Sequence, residues 1–122
     1  LLGVRTTYDE ARDHAALSRL EGEIPAGASH ILLYHTPDLI PEAAELDIDL
    51  YLCGHTHGGQ IRMPLFGAVA TSSRYGKRYE KGRIEADGMT AYVSRGLGLE
   101  GLGAPRARFL ARPEVILWTI KV

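Results

Sequence analysis

Two imidazoles stand one residue apart in the run Cys53-Gly54-His55-Thr56-His57-Gly58-Gly59, and a third, His35, follows the apolar stretch Ile31-Leu32-Leu33-Tyr34. Imidazole is the commonest metal-ligating side chain, and its neutral ring nitrogen suits transition ions such as zinc and iron. In an extended backbone, residues i and i+2 point to one side, their α-carbons roughly 6.5–7 Å apart. Zinc–nitrogen bonds are about 2.0–2.1 Å long, and paired catalytic ions lie about 3.5–4 Å apart. Two rings on this short segment can therefore share one ion or take one each. The flanking glycines let the backbone turn tightly and approach a ligand closely. A metal site at His35, His55 and His57 is the leading expectation; an exposed His-x-His pair without a ligand is the alternative.

Such a site needs strands that stop at the histidines. Residues 30–34 and 49–53 read as strands, and between them Thr36-Pro37-Asp38 starts a short helix to about residue 46, with proline tolerated in its first turn. Upstream, residues 1–5 read as a strand. Residues 8–20 read as a helix with Asp9 as N-cap and Ala11, Ala15, Ala16 and Leu20 near one face. Strand–helix–strand with apolar strands predicts parallel pairing. Parallel sheets hold ligands outside the carboxyl ends of their strands, which is where His35 and His55 fall. Residues 58–82 are rich in turn formers, and 80–86 with 89–94 predict a hairpin about Asp87-Gly88. Residues 114–122 alternate, with Ile116, Trp118, Ile120 and Val122 on one side, and predict a last strand that completes the sheet. Residues 1–122 thus read as a single α/β unit.

Tyr34-His35-Thr36-Pro37-Asp38 and Gly54-His55-Thr56-His57-Gly58-Gly59-Gln60-Ile61 together closely resemble the C-terminal half of the calcineurin-like metallophosphoesterases, in the form found in their bacterial phosphodiesterase branch. The resemblance continues through Ser94-Arg95-Gly96-Leu97-Gly98 and Arg112-Pro113-Glu114-Val115, so it covers most of the chain. It implies the C-terminal half of a layered αββα sandwich that hydrolyses phosphodiesters or phosphomonoesters. It also implies two divalent ions, Mn, Fe or Zn, with His35 and His55 on one and His57 on the other. The family's first three motifs, Asp-x-His, Gly-Asp and Gly-Asn-His followed by an acid, are missing from the sequence. The catalytic residues and the remaining ligands are therefore expected in an N-terminal half outside this chain. The chain opens at Leu1, inside an apolar run, in keeping with that expectation. Relatives of this kind often carry a membrane anchor or export signal in that half. Alone, the chain should hold at most one ion, weakly, and turn over poorly.

A formal charge of −1 argues against a general binder of nucleic acid or anionic membrane. The single cysteine, Cys53, excludes an intrachain disulfide and reads as core packing. Residues 73–81 interleave bases with aromatics, as a phosphate-contacting loop would, although a charged, solvated hairpin edge explains them slightly better. Gly96-x-Gly98-x-x-Gly101 fits a dinucleotide pattern literally, yet Pro105 follows where a helix should run, so it reads as a loop near the site. His14 and His30 read as surface or capping residues, and Asp38 as a residue of the helix start. Asp47 and Asp49 sit at the far end of their strand from His55. Two other classes compete with a phosphoesterase: a non-catalytic metal-binding or assembly module, and a phosphate- or nucleic-acid-binding module. A sheet that stops short of its partner strands should also self-associate through exposed edges.

Overall fold

Alternation along the apolar runs decides which face of each strand is buried, and the registers between strands bring the histidine loops to one edge. The computed structural model describes residues 1–99, 101 and 105–121. In chain order the elements are β1 (Leu2–Gly3), α1 (Glu10–Glu21), β2 (Ile31–Leu33), α2 (Ile40–Ala43), β3 (Leu50–Cys53), β4 (Arg62–Met63), β5 (Gly67–Ala68), β6 (Gly82–Ala86) and β7 (Met89–Val93). Short 3₁₀ turns occupy Pro37–Leu39, His57–Gly59 and Gly76–Tyr79. The main sheet runs β1-β2-β3-β7-β6, and β4 with β5 forms a separate ribbon.

The predicted parallel pairing is present. β1, β2, β3 and β7 are parallel neighbours, and β6 lies antiparallel on β7 at one edge. Leu32 stands opposite Tyr51, and Cys53 opposite Val93. Beyond the strands, Gly54 N donates to His35 O at 3.0 Å and Ser94 N to Cys53 O at 2.8 Å. Three loops therefore leave the sheet side by side at its carboxyl edge.

Leu32, Tyr51, Cys53, Ala91 and Val93 bury one sheet face against Leu17 of α1 and Ile40 and Ala43 of α2. Each large apolar side chain so buried contributes roughly 1.5–3 kcal/mol. The other face is less covered: Leu52 and Tyr92 are half-buried and Leu33 is exposed.

Asp9 caps α1 as predicted, accepting from Arg12 N at 3.1 Å. Its buried face, however, is Asp13 and Leu17 with Ala16 and Leu20 partly covered, whereas Ala11 and Ala15 are exposed. A buried carboxylate hid that face, because Asp13 is satisfied by Thr6, Thr7 and the Tyr34 hydroxyl. The helix expected to reach about residue 46 is shorter, a 3₁₀ turn running into α2. The hairpin turns at Asp87 (φ 48°) and Gly88 (φ 92°), the left-handed pair of a type I′ turn.

The predicted last strand does not form. Residues 114–121 take part in no strand, and Val122 lies outside the described residues. Alternation states a preference that only a partner strand can realise, and this segment has no ladder beside it. It is held by Glu114 N donating to Gly96 O at 3.1 Å and by Trp118 packing edge-on against Tyr92, ring centroids 5.4 Å apart. Among the described residues no helix is long and apolar enough to cross a membrane.

Candidate metal-binding site

The loop after β3 is folded by left-handed residues. His55 (φ 70°), His57 (φ 51°) and Gln60 (φ 47°) join Gly58 and Gly59 in that region. For residues with a side chain this conformation is costly and collects at functional sites. A left-handed backbone is not extended, so the i, i+2 geometry of a strand does not apply to His55 and His57. Thr56 fixes the turn, its hydroxyl donating to Glu80 O at 2.7 Å. Gly59 N closes it on Thr56 O at 2.7 Å.

His35 and His55, from neighbouring parallel strands, are brought together. His55 Nδ1 lies 3.0 Å from His35 Nε2, with ring centroids 4.8 Å apart. At this distance one ring donates to the other, the direction set by their tautomers. Neutral imidazole nitrogens this close together are donors that would suit one divalent ion. The pair thus fits a divalent ion. Among the described residues no further His, Cys, Asp or Glu completes a group of three able to hold one. Tyr8 stands over both rings, with centroids 6.2 Å from His35 and 5.8 Å from His55, and nothing in the sequence pattern pointed to it.

His57 is held apart by other groups. Its Nδ1 lies 3.0 Å from Gly98 O and 3.2 Å from Arg108 Nη2, so it donates to the carbonyl or accepts from the guanidinium according to its tautomer. A side chain at Gly98 would put its β-carbon 3.4 Å from His57 Cε1. The glycine-rich loop therefore does sit at the histidine cluster, although Leu102 and Gly103 lie outside the described residues.

Arg108 organises these loops, and sequence reasoning missed it. Its guanidinium donates to Arg95 O (2.7 Å), Gly98 O (2.6 Å), His57 O (3.3 Å) and Ala111 O (3.2 Å). Burial, then the nearby Arg95 charge, holds its pKa below the usual guanidinium value. Arg95 in turn pairs with Glu114, whose Oε1 also accepts from Arg95 N at 2.9 Å. That pair joins the two downstream stretches that carried the family resemblance.

The stray polar residues fall elsewhere. His30, just before the interior strand β2, is buried at 4% exposure rather than at the surface; its ring nitrogens have no hydrogen-bond partner among the described residues. His14 is exposed. Asp38 accepts from Ser73 Oγ at 2.6 Å and Arg74 N at 3.2 Å, while Thr36 caps the turn. Asp49 binds His30 N at 2.7 Å, at the opposite end of the strand from His55. Burial, with the charge of Asp38 adding to it, pushes the Cys53 thiol well above its ordinary pKa, in line with a packing role.

The basic aromatic loop is a 3₁₀ turn with Tyr79 buried, not a hairpin edge. Arg74 is paired with Glu10 and Glu42, and Lys77 sits 3.0 Å from the Phe66 ring centroid.

Comparison with known proteins gives relatives of one kind. The chain is 43% identical over 91 residues to an uncharacterized metallophosphoesterase, YkuE, of Bacillus subtilis, covering 75% of this chain and 30% of that protein. It is 39% identical over 93 residues to the phosphodiesterase YaeI of Escherichia coli, covering 75% and 32%. It is 34% identical over 94 residues to the UDP-2,3-diacylglucosamine pyrophosphatase LpxG of Chlamydia trachomatis, covering 71% and 27%. The chain therefore spans about a third of the length of the curated relatives it matches. No family model matches it, and no solved structure does.

Proposed function

Over three quarters of its length the chain is homologous to bacterial metallophosphoesterases, and on that premise we propose that it supplies the histidine side of a divalent-metal centre that hydrolyses phosphate esters. The observation that carries this reading is the 3.0 Å approach of His55 Nδ1 to His35 Nε2 at the carboxyl edge of the parallel sheet. In the whole centre His35 and His55 would hold one ion and His57 the second. A divalent ion there supplies Lewis acidity toward phosphoryl oxygens and lowers the pKa of water.

The chain's own residues do the positioning. Gly98 O and the Arg108 guanidinium both reach His57 Nδ1 and hold the ring in place. Arg108 locks the His57 and Gly98 backbones to each other through their carbonyls. Tyr8 packs its ring beside the two facing imidazoles. Neutral imidazoles bring no negative charge, so carboxylates from the rest of the parent polypeptide must offset the charge of the ions. With three imidazoles alone, residues 1–122 bind at most one ion weakly and turn over poorly. Metal identity, Mn, Fe or Zn, follows supply as much as ligand type.

Calorimetric titration of the chain with zinc, paired with hydrolysis of bis(4-nitrophenyl) phosphate in Mn²⁺, tests this. We expect about one weak ion per chain, lost in both His35→Ala and His55→Ala, and no turnover beyond that of His55→Ala. Zinc binding that survives both substitutions would remove the pair from the centre. Turnover abolished by His55→Ala would show that the chain assembles a working site unaided.

A further inference from the structure

A cavity of about 300 Å³ opens beside the histidines. His55 and His57 form one wall, Ile61, Val69 and Pro105 an apolar one, and Thr71 also lines it. This volume lies at the lower end of the range for small-molecule sites. A dry apolar cavity of roughly 150 Å³ already accepts benzene, so there is room here for an aromatic ring with a substituent. The Thr71 hydroxyl is buried and has no hydrogen-bond partner among the described residues. Buried polar groups of a folded chain are nearly always paired, so an unpaired one beside a cavity points to an acceptor or donor that arrives with a ligand.

We infer that this cavity receives the organic group of the phosphate ester, and that the group is an aryl or short alkyl substituent rather than a nucleoside. The inference rests on the phosphoesterase reading above, which places the phosphoryl group at the imidazole wall. An ester bound there extends one substituent along the apolar wall, with its oxygen available to Thr71. A ribose would set its hydroxyls against Ile61, Val69 and Pro105; of the polar side chains that also line the cavity, Thr56 already donates to Glu80 O, Gln60 to Pro105 O, and Ser72 is exposed, so ribose hydroxyls left unpaired would weaken binding. An apolar ring gains on transfer to the same wall. Binding energy collected at this distance from the reacting bond is the kind an enzyme uses to discriminate substrates.

The test compares phenylphosphonate with methylphosphonate, neither of which can be hydrolysed at an ester bond, by calorimetry on the 122-residue chain in the presence of zinc. Phenylphosphonate should bind about tenfold tighter or better. Ala70→Trp, at an exposed position on the cavity rim, should erase that preference while methylphosphonate affinity is retained, which also shows that the variant is folded. Val69→Trp should do the same from the adjoining position. Equal affinity of the two phosphonates overturns the inference and leaves the phosphoesterase reading standing. A phenyl preference that persists in both variants also overturns it, because the ring then sits elsewhere. If neither phosphonate binds, the cavity takes no organic group and the inference is overturned, while the phosphoesterase reading is decided separately by the zinc titration of the histidine variants.

Discussion

At Gly59 the backbone has φ +79°, and an added β-carbon would stand 2.2 Å from the Ala68 β-carbon and 2.9 Å from Ala70 O. Neither neighbour is a flexible side chain that can swing away. Gly59→Ala should therefore destabilise the chain by about 2–4 kcal/mol, combining left-handed strain with overpacking. A urea midpoint unmoved from wild type would mean that the loop relaxes freely. Asp13 gives a second prediction. Burial pushes its carboxyl upward, but hydrogen bonds from Thr7, Tyr34 and Thr6 outweigh this and hold it below the ordinary aspartate value. A carboxyl lowered in the folded state binds fewer protons there than when unfolded. Its contribution is therefore complete above the unfolded pKa, near 4, and is lost as pH falls through the folded one. Thermal melts from pH 6 down to 3 should show wild type losing more stability than Asp13→Asn; parallel losses would refute the assignment. That His35 and His55 end up at neighbouring strand ends was legible, because the apolar runs before them carry that signal. Arg108 and Tyr8 were not, since an arginine that binds backbone carbonyls and a lone tyrosine over two rings leave no periodic trace.

Among the elements, β2, β3 and the β6–β7 hairpin could be read because each is specified locally, by an apolar run or by Asp87-Gly88. The face of α1 was misread because its central buried residue is a carboxylate. The segment 114–121 was misread for a different reason: strand formation there depends on a ladder that no neighbouring element offers. What holds the segment is a polar anchor followed by an aromatic contact, Arg95 with Glu114 and then Trp118 on Tyr92. Burial raises the Glu114 carboxyl, yet the Arg95 hydrogen bonds and charge win and leave it below the ordinary value. The pair is mostly sheltered, with 26% and 15% of the two side chains exposed. Glu114→Gln should therefore cost about 1–3 kcal/mol, and the half-buried Arg95 would lose its counter-charge. Because the single tryptophan follows four residues later, its fluorescence reports the same event. Emission should shift to the red in Glu114→Gln under conditions where far-ultraviolet dichroism still shows the sheet. An unchanged spectrum would mean that Trp118 holds the segment without the ion pair.

For the molecule as a whole the telling quantity is surface. The chain exposes 7696 Å², whereas a folded monomer of 13.3 kDa is expected to expose about 6,450 Å². The excess of roughly 1,200 Å² is of the order that one partner contributes to a stable interface. Its location is visible. α1 and α2 cover one sheet face, but on the other Leu33 is exposed, and the segment that crosses Tyr92 leaves Val115, Leu117 and Ile120 in solvent. The sheet edges contribute less, since Arg83 and Glu85 place charge on β6 and β1 is only two residues long. Self-association, expected from the sequence at the edges, should therefore proceed chiefly through this apolar face. Light scattering across a concentration series should give a mass that climbs above 13.3 kDa. Val115→Lys with Leu117→Lys, both at exposed positions, should return it toward the monomer without lowering the unfolding midpoint. A monomeric mass at every concentration would mean that the open face is tolerated by water alone, and the excess surface would then carry no information about a partner.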